Sequence, residues 1–132
     1  MISTIERTGR CYWLMLHRFA ETHPQREYID MGACKHFIET IIAMLPCERC
    51  MKHAREFMRE HWPSAPITGL RLRMLMHYFH NRVNEDTGKR IMSWEQYERE
   101  VQARGPTTGA HRLQYRTPVT NCPSTMRSQL QL

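Results

Sequence analysis

The sequence predicts an all-α protein in which four main helices form a bundle and a short fifth helix follows them. Apolar residues recur at helical spacing in four separate segments, and short connectors join those segments. No segment alternates polar and apolar residues as a half-buried strand does. Ten methionines and a hydrophobic content of 41% suit an adaptable helical core. These observations exclude a fold built on a sheet.

Start and stop signals place the helices along the chain. The first begins at the capping box Ser3-Thr-Ile-Glu6 and ends near Thr22, ahead of a proline. The second covers about residues 25–45, and its apolar stripe begins at Tyr28. The third begins at residue 46 or 47 and stops before Pro63. A fourth helix over about 68–87 ends at Gly88, and a second capping box begins a fifth helix over 93–104.

The chain divides into one folded domain, residues 1–104, and a tail, residues 105–132. Thr, Ser, Pro, Gly, Gln and Arg dominate the tail, where apolar periodicity disappears. Such a segment cannot bury enough apolar surface to offset its ordering entropy. We therefore expect a mobile, basic tail whose reactive group is Cys122.

Charge and hydropathy exclude several functional classes. The net charge is +6, but three arginines without any acid give the tail +3, so the excess on the folded part is modest. We therefore do not expect nucleic-acid binding. No run of eighteen apolar residues exists, and the polar N-terminus lacks the apolar stretch of a signal peptide. We expect a soluble protein that is not secreted by the usual route and has no membrane partner.

A pair of cysteines, Cys47-Glu48-Arg49-Cys50, follows an apolar run and opens the third helix. The first turn of a helix favours thiolate over thiol, because its N–H groups and dipole are positive. One interpretation is dithiol-disulfide exchange. A second is a zinc site in a helical module without enzymatic activity, with Cys47, Cys50 and His53 as ligands. A third makes the pair a core element or clip, although so short a loop would stabilise the fold little.

Other uses of a closely spaced cysteine pair fit less well. Thioredoxin-like exchange normally occurs in a βαβ setting, which this chain lacks, and a haem link would need histidine where Met51 stands. If the pair is redox-active in this all-helical chain, it therefore needs an electron acceptor of another kind than a thioredoxin-like fold or a haem link provides.

The fourth helix carries a polar group near its C-terminal end. Asn81 and Asn84 lie three residues apart on one face, with His80 beside them and Lys89 just after the helix. Two amides can bind the edge of a heterocycle, an imidazole can stack on it, and an ammonium suits a phosphate. The alternative is that Asn and Lys merely terminate the helix.

Three motifs together resemble the Erv/ALR family of FAD-linked sulfhydryl oxidases over residues 6 to 90. They are Gly9-Arg10-x2-Trp13-x3-His17, Pro46-Cys47-x2-Cys50 and His80-Asn81-x-Val83-Asn84-x4-Lys89. All three stand in the family's order and on the expected helices. The combination is specific where each motif alone is not.

The resemblance implies an enzyme that makes disulfide bonds in dithiol proteins and passes electrons to FAD and then to molecular oxygen, giving hydrogen peroxide. Cys47 would be the outer cysteine that exchanges with substrate, and Cys50 the flavin-proximal one. The implied cofactor contacts are Gly9, Arg10, Trp13, His17, Cys50, His80, Asn81, Val83, Asn84 and Lys89. Trp13, His17 and His80 would surround the adenine, and Lys89 with Arg10 would approach the phosphates. The resemblance implies no metal, and a homodimer formed through the first two helices.

The chain departs from the family pattern at several positions. A second structural disulfide found in many relatives is absent, since its positions hold His77 and Trp94, so we expect packing by Trp94 to hold the fifth helix. An aromatic pair expected near the adenine appears as Thr22-His23. A separate shuttle pair is also absent, so Cys122 alone could contact the active site or a partner chain.

The remaining expectations concern the other cysteines and the setting. Cys11 and Cys34 lie within predicted helices, so we expect both to be buried. A stand-alone domain of this kind is most similar to those of large DNA viruses, which implies action in the cytoplasm of an infected cell or in the virion. A mitochondrial intermembrane location is the alternative. A helical interaction protein with an incidental dithiol is a further class, and it would show neither cofactor nor oxygen uptake.

Overall fold

The computed structural model describes residues 4–104, with side chains from residue 9 onward, and this part of the chain forms five α-helices. They are α1 (Thr4–Glu21), α2 (Met31–Ala43), α3 (Glu48–His61), α4 (Gly69–Asp86) and α5 (Trp94–Arg104). The predicted all-α class is confirmed. The Ser3–Glu6 capping box, Cys122 and the rest of the predicted tail lie outside what the structure describes.

The core lies between two helix pairs. Helix α1 packs on α4, and α2 packs on α3, while α5 covers one side of α4. The largest fully buried side chains come from α2 and α4: Cys34, Ile38, Ile42, Leu72 and Met76. Phe57 of α3 stacks on Phe79 of α4 with ring centroids 4.1 Å apart, which joins the two pairs. None of the described helices is both long and apolar enough to cross a bilayer.

Helix α2 begins six residues later than the sequence predicts. Asp30 is its N-cap, and the Asp30 carboxylate accepts a 2.9 Å hydrogen bond from the Ala33 N–H. Tyr28, which the prediction placed on the apolar stripe, is 74% exposed. The prediction was wrong here because it treated the apolar residues before Asp30 as helical, although the Asp30 side chain begins the helix.

Residues 25–29 instead pair with the connector before α4. The Ile29 N–H donates to the Ile67 carbonyl at 3.0 Å, and the Gly69 N–H donates to the Glu27 carbonyl at 2.9 Å. Gly69 lies so close to the Pro24 carbonyl that a Cβ at this position would collide with it. We call the paired segments 25–29 and 67–70 the clasp. The clasp holds the end of α1 against the start of α4, and helices α2 and α3 extend from it as a hairpin.

The remaining helix starts follow the sequence. Cys47 is the N-cap of α3 and Thr68 that of α4. In the predicted capping box of α5, the Ser93 N–H donates to the Gln96 side-chain oxygen at 3.1 Å and the Gln96 N–H donates to the Ser93 hydroxyl at 3.2 Å. The reactive cysteine pair therefore occupies the first turn of α3, as predicted.

A buried carboxylate fastens α5 to the bundle. Glu21, at the end of α1, accepts hydrogen bonds of 2.9 Å from the Tyr97 hydroxyl and from the Arg104 guanidinium. Trp94 packs edge-on against His77 with ring centroids 5.4 Å apart, so the predicted Trp94 contact is present. The sequence analysis missed Glu21. An acid in the last turn of a helix opposes the macrodipole, and this unfavourable position was the signal that it has a specific partner.

Candidate active site

The two cysteines at the start of α3 are free thiols in contact with each other. Cys47 Sγ accepts a hydrogen bond of 3.3 Å from the Cys50 N–H, so the sulfur caps the helix. The Tyr12 hydroxyl donates to the Met44 carbonyl at 2.8 Å, which fixes the end of α2 against α1 just before the pair. A thiol thus occupies the N-cap position that hydroxyls and carboxylates usually fill.

The two thiols differ in acidity. The hydrogen bond from the Cys50 thiol, followed by the one from the Cys50 N–H, lowers the pKa of Cys47. Cys50 is the more exposed residue of the two, although protein atoms surround its sulfur more closely than that of Cys47. Burial and the hydrogen bond to Cys47 raise the Cys50 pKa. When the reduced pair ionises, Cys47 therefore loses its proton before Cys50. A low-pKa thiol is both available as thiolate and a good leaving group in exchange.

A second group, which we call the aromatic cluster, joins α1, α4 and α5 and comprises Trp13, His17, Phe79, His80 and Tyr97. Trp13 stacks on His80 with centroids 4.3 Å apart and planes 7° apart, and it meets the edge of Phe79 at 4.9 Å. His17 Nε2 and His80 Nδ1 form a 2.9 Å hydrogen bond. The structure thus brings together three predicted cofactor residues from two helices, Trp13 and His17 of α1 and His80 of α4.

Both histidines of the cluster are neutral. Burial lowers the pKa of His17 to about 3 and that of His80 to about 4. His17 Nδ1 is buried and has no hydrogen-bond partner among the residues that the structure describes. Uncharged rings suit stacking against a neutral aromatic group, and the unpartnered nitrogen can accept or donate one further hydrogen bond.

The neutral state of His17 makes the fold sensitive to acid. In the unfolded chain a histidine binds its proton near pH 6.5, whereas folded His17 does so only near pH 3. Stability from this residue is complete above pH 6.5 and is lost as the pH falls toward 3. At pH 5 we expect His17 to cost about 2 kcal/mol of unfolding free energy relative to pH 8.

Urea unfolding at pH 8 and pH 5 measures this cost, with His17→Phe as the test variant and exposed His36→Gln as the matched control. The pH dependence should fall by about half in His17→Phe, because His80, whose pKa burial also lowers, contributes a similar cost, and it should persist in full in the control. An unchanged pH dependence in His17→Phe would contradict the assignment.

The side chain of Asn81 binds the main chain of the α4–α5 connector. Its Nδ2 donates to the Met92 carbonyl at 2.8 Å, and its Oδ1 accepts from the Met92 N–H at 3.1 Å. His77 Nε2 donates to the same carbonyl at 2.9 Å. The sequence analysis missed this use of His77. Asn81 therefore positions the connector, and a contact of Asn81 with a cofactor remains a prediction.

The end of α4 sets the backbone position of Lys89. Gly88 has a positive φ of 70°, and its N–H donates to the Glu85 carbonyl at 3.1 Å. The Lys89 N–H donates to the Asn84 carbonyl at 2.7 Å, which completes a Schellman motif. Asn84 and Val83 are both partly buried on this last turn of α4. The structure thus explains why glycine precedes Lys89.

The other predicted residues have different surroundings. Arg10 is exposed on α1, and a Cβ at neighbouring Gly9 would contact nothing among the described residues. Cys11 and Cys34 are buried, as predicted. Cys34 Sγ lies 3.4 Å from His23 Nε2, so His23 packs between α1 and α2.

The zinc alternative lacks a ligand set in the described residues. No three or more His, Cys, Asp or Glu side chains come together there in a way that could hold a metal ion. His53, the predicted third ligand, is exposed on α3. The cysteine pair is therefore accompanied by an aromatic cluster rather than by further metal-binding side chains.

Comparison with known proteins identifies relatives of the whole folded part. A FAD-linked sulfhydryl oxidase of African swine fever virus is 31% identical over 98 residues, which cover 68% of this chain and 76% of that protein. The FAD-linked sulfhydryl oxidase ERV1 of Arabidopsis thaliana is 27% identical over 72% of this chain, and the matched region is half of the plant protein.

A solved structure and a family description agree with these relatives. The crystal structure of the yeast Erv1 core matches with a TM-score of 0.64 and 25% identity, covering 76% of this chain and 84% of that one. The Erv1/Alr family description matches residues 10–103, which contain the cysteine pair and the aromatic cluster. The predicted family is confirmed: the chain belongs to the Erv1/Alr family.

Proposed function

We propose that this chain is a FAD-linked sulfhydryl oxidase that makes disulfide bonds in dithiol proteins and transfers the electrons to oxygen. The observation that carries the proposal is the cysteine pair at the start of α3, in which the pKa of Cys47 is lowered. Phe57, two turns after Cys50 on the same helix, stacks on Phe79, and Phe79 contacts Trp13 of the aromatic cluster. The names of the relatives support the same activity.

The residues present fit FAD on structural grounds. The buried His17 Nδ1 has an open hydrogen-bonding position, and the neutral rings of Trp13, His17 and His80 offer stacking surfaces. Lys89 stands at a fixed helix end, and Gly9 leaves open space beside Arg10. In this proposal His17, Trp13 and His80 hold the adenine, and Lys89 and Arg10 hold the phosphates. The rest of the cofactor would be lined by Asn81, Val83, Asn84 and Cys50.

The exchange chemistry follows from the acidity of the two thiols. A substrate thiolate attacks Cys47 Sγ of the oxidised pair, which breaks the Cys47–Cys50 bond and releases Cys50 as the leaving group. The second substrate thiolate then attacks the substrate sulfur of the mixed disulfide, and Cys47 leaves. Its lowered pKa makes this step fast. The substrate dithiol has lost two electrons, and the cysteine pair has gained them. Of the two protons that the substrate thiols release, one goes to Cys50 Sγ and the other to Cys47 or to solvent.

When bound, FAD supplies the acceptor for this electron pair, and its reoxidation by oxygen yields hydrogen peroxide. The chain's own part is to orient the pair and to hold the remaining proton on Cys50 Sγ until transfer.

The proposal extends to assembly and setting. Exposed Met15 on α1 and Met44 after α2 provide apolar surface for the homodimer through the first two helices. The viral relative supports action in the cytoplasm of an infected cell or in the virion, where disulfides otherwise do not persist.

The test is the visible absorption spectrum of the purified protein, followed by addition of dithiothreitol with an oxygen electrode running. We expect a flavin spectrum, and oxygen uptake matched by hydrogen peroxide at one equivalent per thiol pair. A colourless protein that consumes no oxygen and unfolds when zinc is chelated would overturn the proposal in favour of a zinc module.

A further inference from the structure

A groove runs along the outer side of the α2–α3 hairpin, and the chemistry above does not use it. Its volume is about 670 Å³. We call it the α2–α3 groove, and its lining includes the apolar residues Ile42, Met58 and Trp62 with the charged residues Lys35, Glu39, Arg55 and Arg59. Ile42 and Met58 are buried beneath it and Trp62 is half-buried, so Trp62 is the apolar residue of this group that an apolar side chain of a bound peptide can contact.

The groove carries a net positive charge, because only one of its three basic side chains is paired with an acid. Lys35 and Glu39 form an exposed ion pair at 3.9 Å, so their charges offset each other. Arg55 and Arg59 are exposed, and in the described part of the chain neither guanidinium has an acidic side chain within ion-pair distance. Two free guanidinium groups above an apolar floor favour a ligand with carboxylates and at least one apolar side chain.

The groove and the cysteine pair lie on the same helix. Residues spaced by three, four or seven share one helix face, so Cys47 lies over Met51 and Met58 at the groove side, whereas Cys50 lies over buried Ala54 and Phe57. Arg55 and Arg59 follow Cys47 by about 12 Å and 18 Å along the helix axis, at about 1.5 Å per residue. A chain in the groove therefore approaches the pair from the Cys47 side.

We propose that the α2–α3 groove binds an acidic segment of the dithiol substrate, next to the substrate cysteine that exchanges with Cys47. An extended chain advances about 3.3 Å per residue, so the acidic residues would lie about four to five positions from that cysteine. This inference rests on the proposed function and adds the substrate class to it. The chain's own tail is a poor occupant, because Arg112, Arg116 and Arg127 make it basic.

The experiment compares the oxidation of three synthetic peptides that share one cysteine pair and carry acidic, neutral or basic residues at those positions. Arg55→Glu/Arg59→Glu is the test variant. Arg26→Glu/Arg71→Glu is the matched control, since both arginines are exposed and it changes the net charge equally. Dithiothreitol, which is too small to use the groove, reports on the exchange chemistry itself.

We expect the full chain to oxidise the acidic peptide about three- to tenfold faster in kcat/KM than the neutral one at low salt, with a smaller ratio at high salt. The test variant should lose or reverse this preference, the control should keep it, and both should oxidise dithiothreitol normally. An acidic peptide without cysteines should inhibit oxidation of the acidic substrate and not that of dithiothreitol.

Other outcomes overturn the inference. Equal rates for the three peptides, or equal loss in test and control variants, would show that the groove does not select substrate. A changed oligomeric state of the test variant, with the peptide preference intact, would assign the groove to contact between copies of the chain. In either case, normal oxidation of dithiothreitol would leave the proposed oxidase function standing.

Discussion

Cys47→Ser and Cys50→Ser should each reduce oxygen-coupled oxidation of a dithiol by on the order of 1,000-fold or more, because the two sulfurs act as one unit. The two variants should fail in different ways. Cys50→Ser retains Cys47, the thiol with the lowered pKa, and can still join a substrate disulfide. With a disulfide-linked dimer of a one-cysteine peptide, the departing peptide thiol diffuses away and no Cys50 thiol remains to attack the mixed disulfide, so the adduct should accumulate. Cys47→Ser should form no comparable adduct with a protein substrate.

Mass spectrometry after incubation with an oxidised peptide measures the adduct, alongside the rate of oxygen uptake. Cys34→Ala is the matched control, since this buried thiol contacts His23 and not the cysteine pair. It should retain turnover. Stable adducts on Cys50 in Cys47→Ser, with none on Cys47 in Cys50→Ser, would reverse the assigned roles.

Glu21→Ala should have the largest effect on stability. The Glu21 carboxylate is almost fully buried, and it holds the Tyr97 hydroxyl and the Arg104 guanidinium at 2.9 Å each. Removing the carboxylate leaves a partly buried cation and a buried hydroxyl without their partner. We expect a loss of about 3 kcal/mol in unfolding free energy and a Tm lower by about 10 °C. Helix α5 should detach before the rest of the bundle.

Calorimetry or thermal circular dichroism of the variants measures this effect. Asp86→Ala removes the exposed Arg82–Asp86 ion pair of 3.6 Å and serves as the matched control. It should cost less than about 0.5 kcal/mol, because an exposed pair is screened by water. Similar losses in the two variants would contradict the view that the carboxylate fastens α5.

Local signals in the sequence were sufficient for most of the fold. The capping box at Ser93, the glycine at position 88 and Pro63 each act within a few residues, so the ends of α3, α4 and α5 could be predicted closely. The start of α2 could not be predicted in this way. Apolar periodicity extends the helix back to residue 25, whereas the pairing of residues 25–29 with another segment keeps them out of it. The backbone of residues 25–29 pairs with a connector some forty residues away, and periodicity carries no information about such a partner.

The candidate site divides in the same way. Cys47 and Cys50 are recognisable from spacing, and the motifs around Trp13 and His80 from resemblance. The stack of Trp13 on His80, the acidity order of the two thiols and the binding of Met92 by Asn81 depend on tertiary contacts between helices. Glu21 and Tyr97 are 76 positions apart, so no local pattern could pair them.

The clasp between residues 25–29 and the start of α4 has a consequence for motion. Its hydrogen bonds close residues 30–66 into a loop whose two ends meet at Ile29 and Ile67. Helices α2 and α3 therefore enter and leave the bundle at one narrow neck, and contiguous segments of this kind are the usual units of sub-global unfolding. The Phe57–Phe79 stack and the hydrogen bond from Tyr12 to the Met44 carbonyl oppose such an opening. Because Cys47 lies inside this loop and His80 outside it, the neck at Ile29 and Ile67 separates the cysteine pair from the aromatic cluster along the chain.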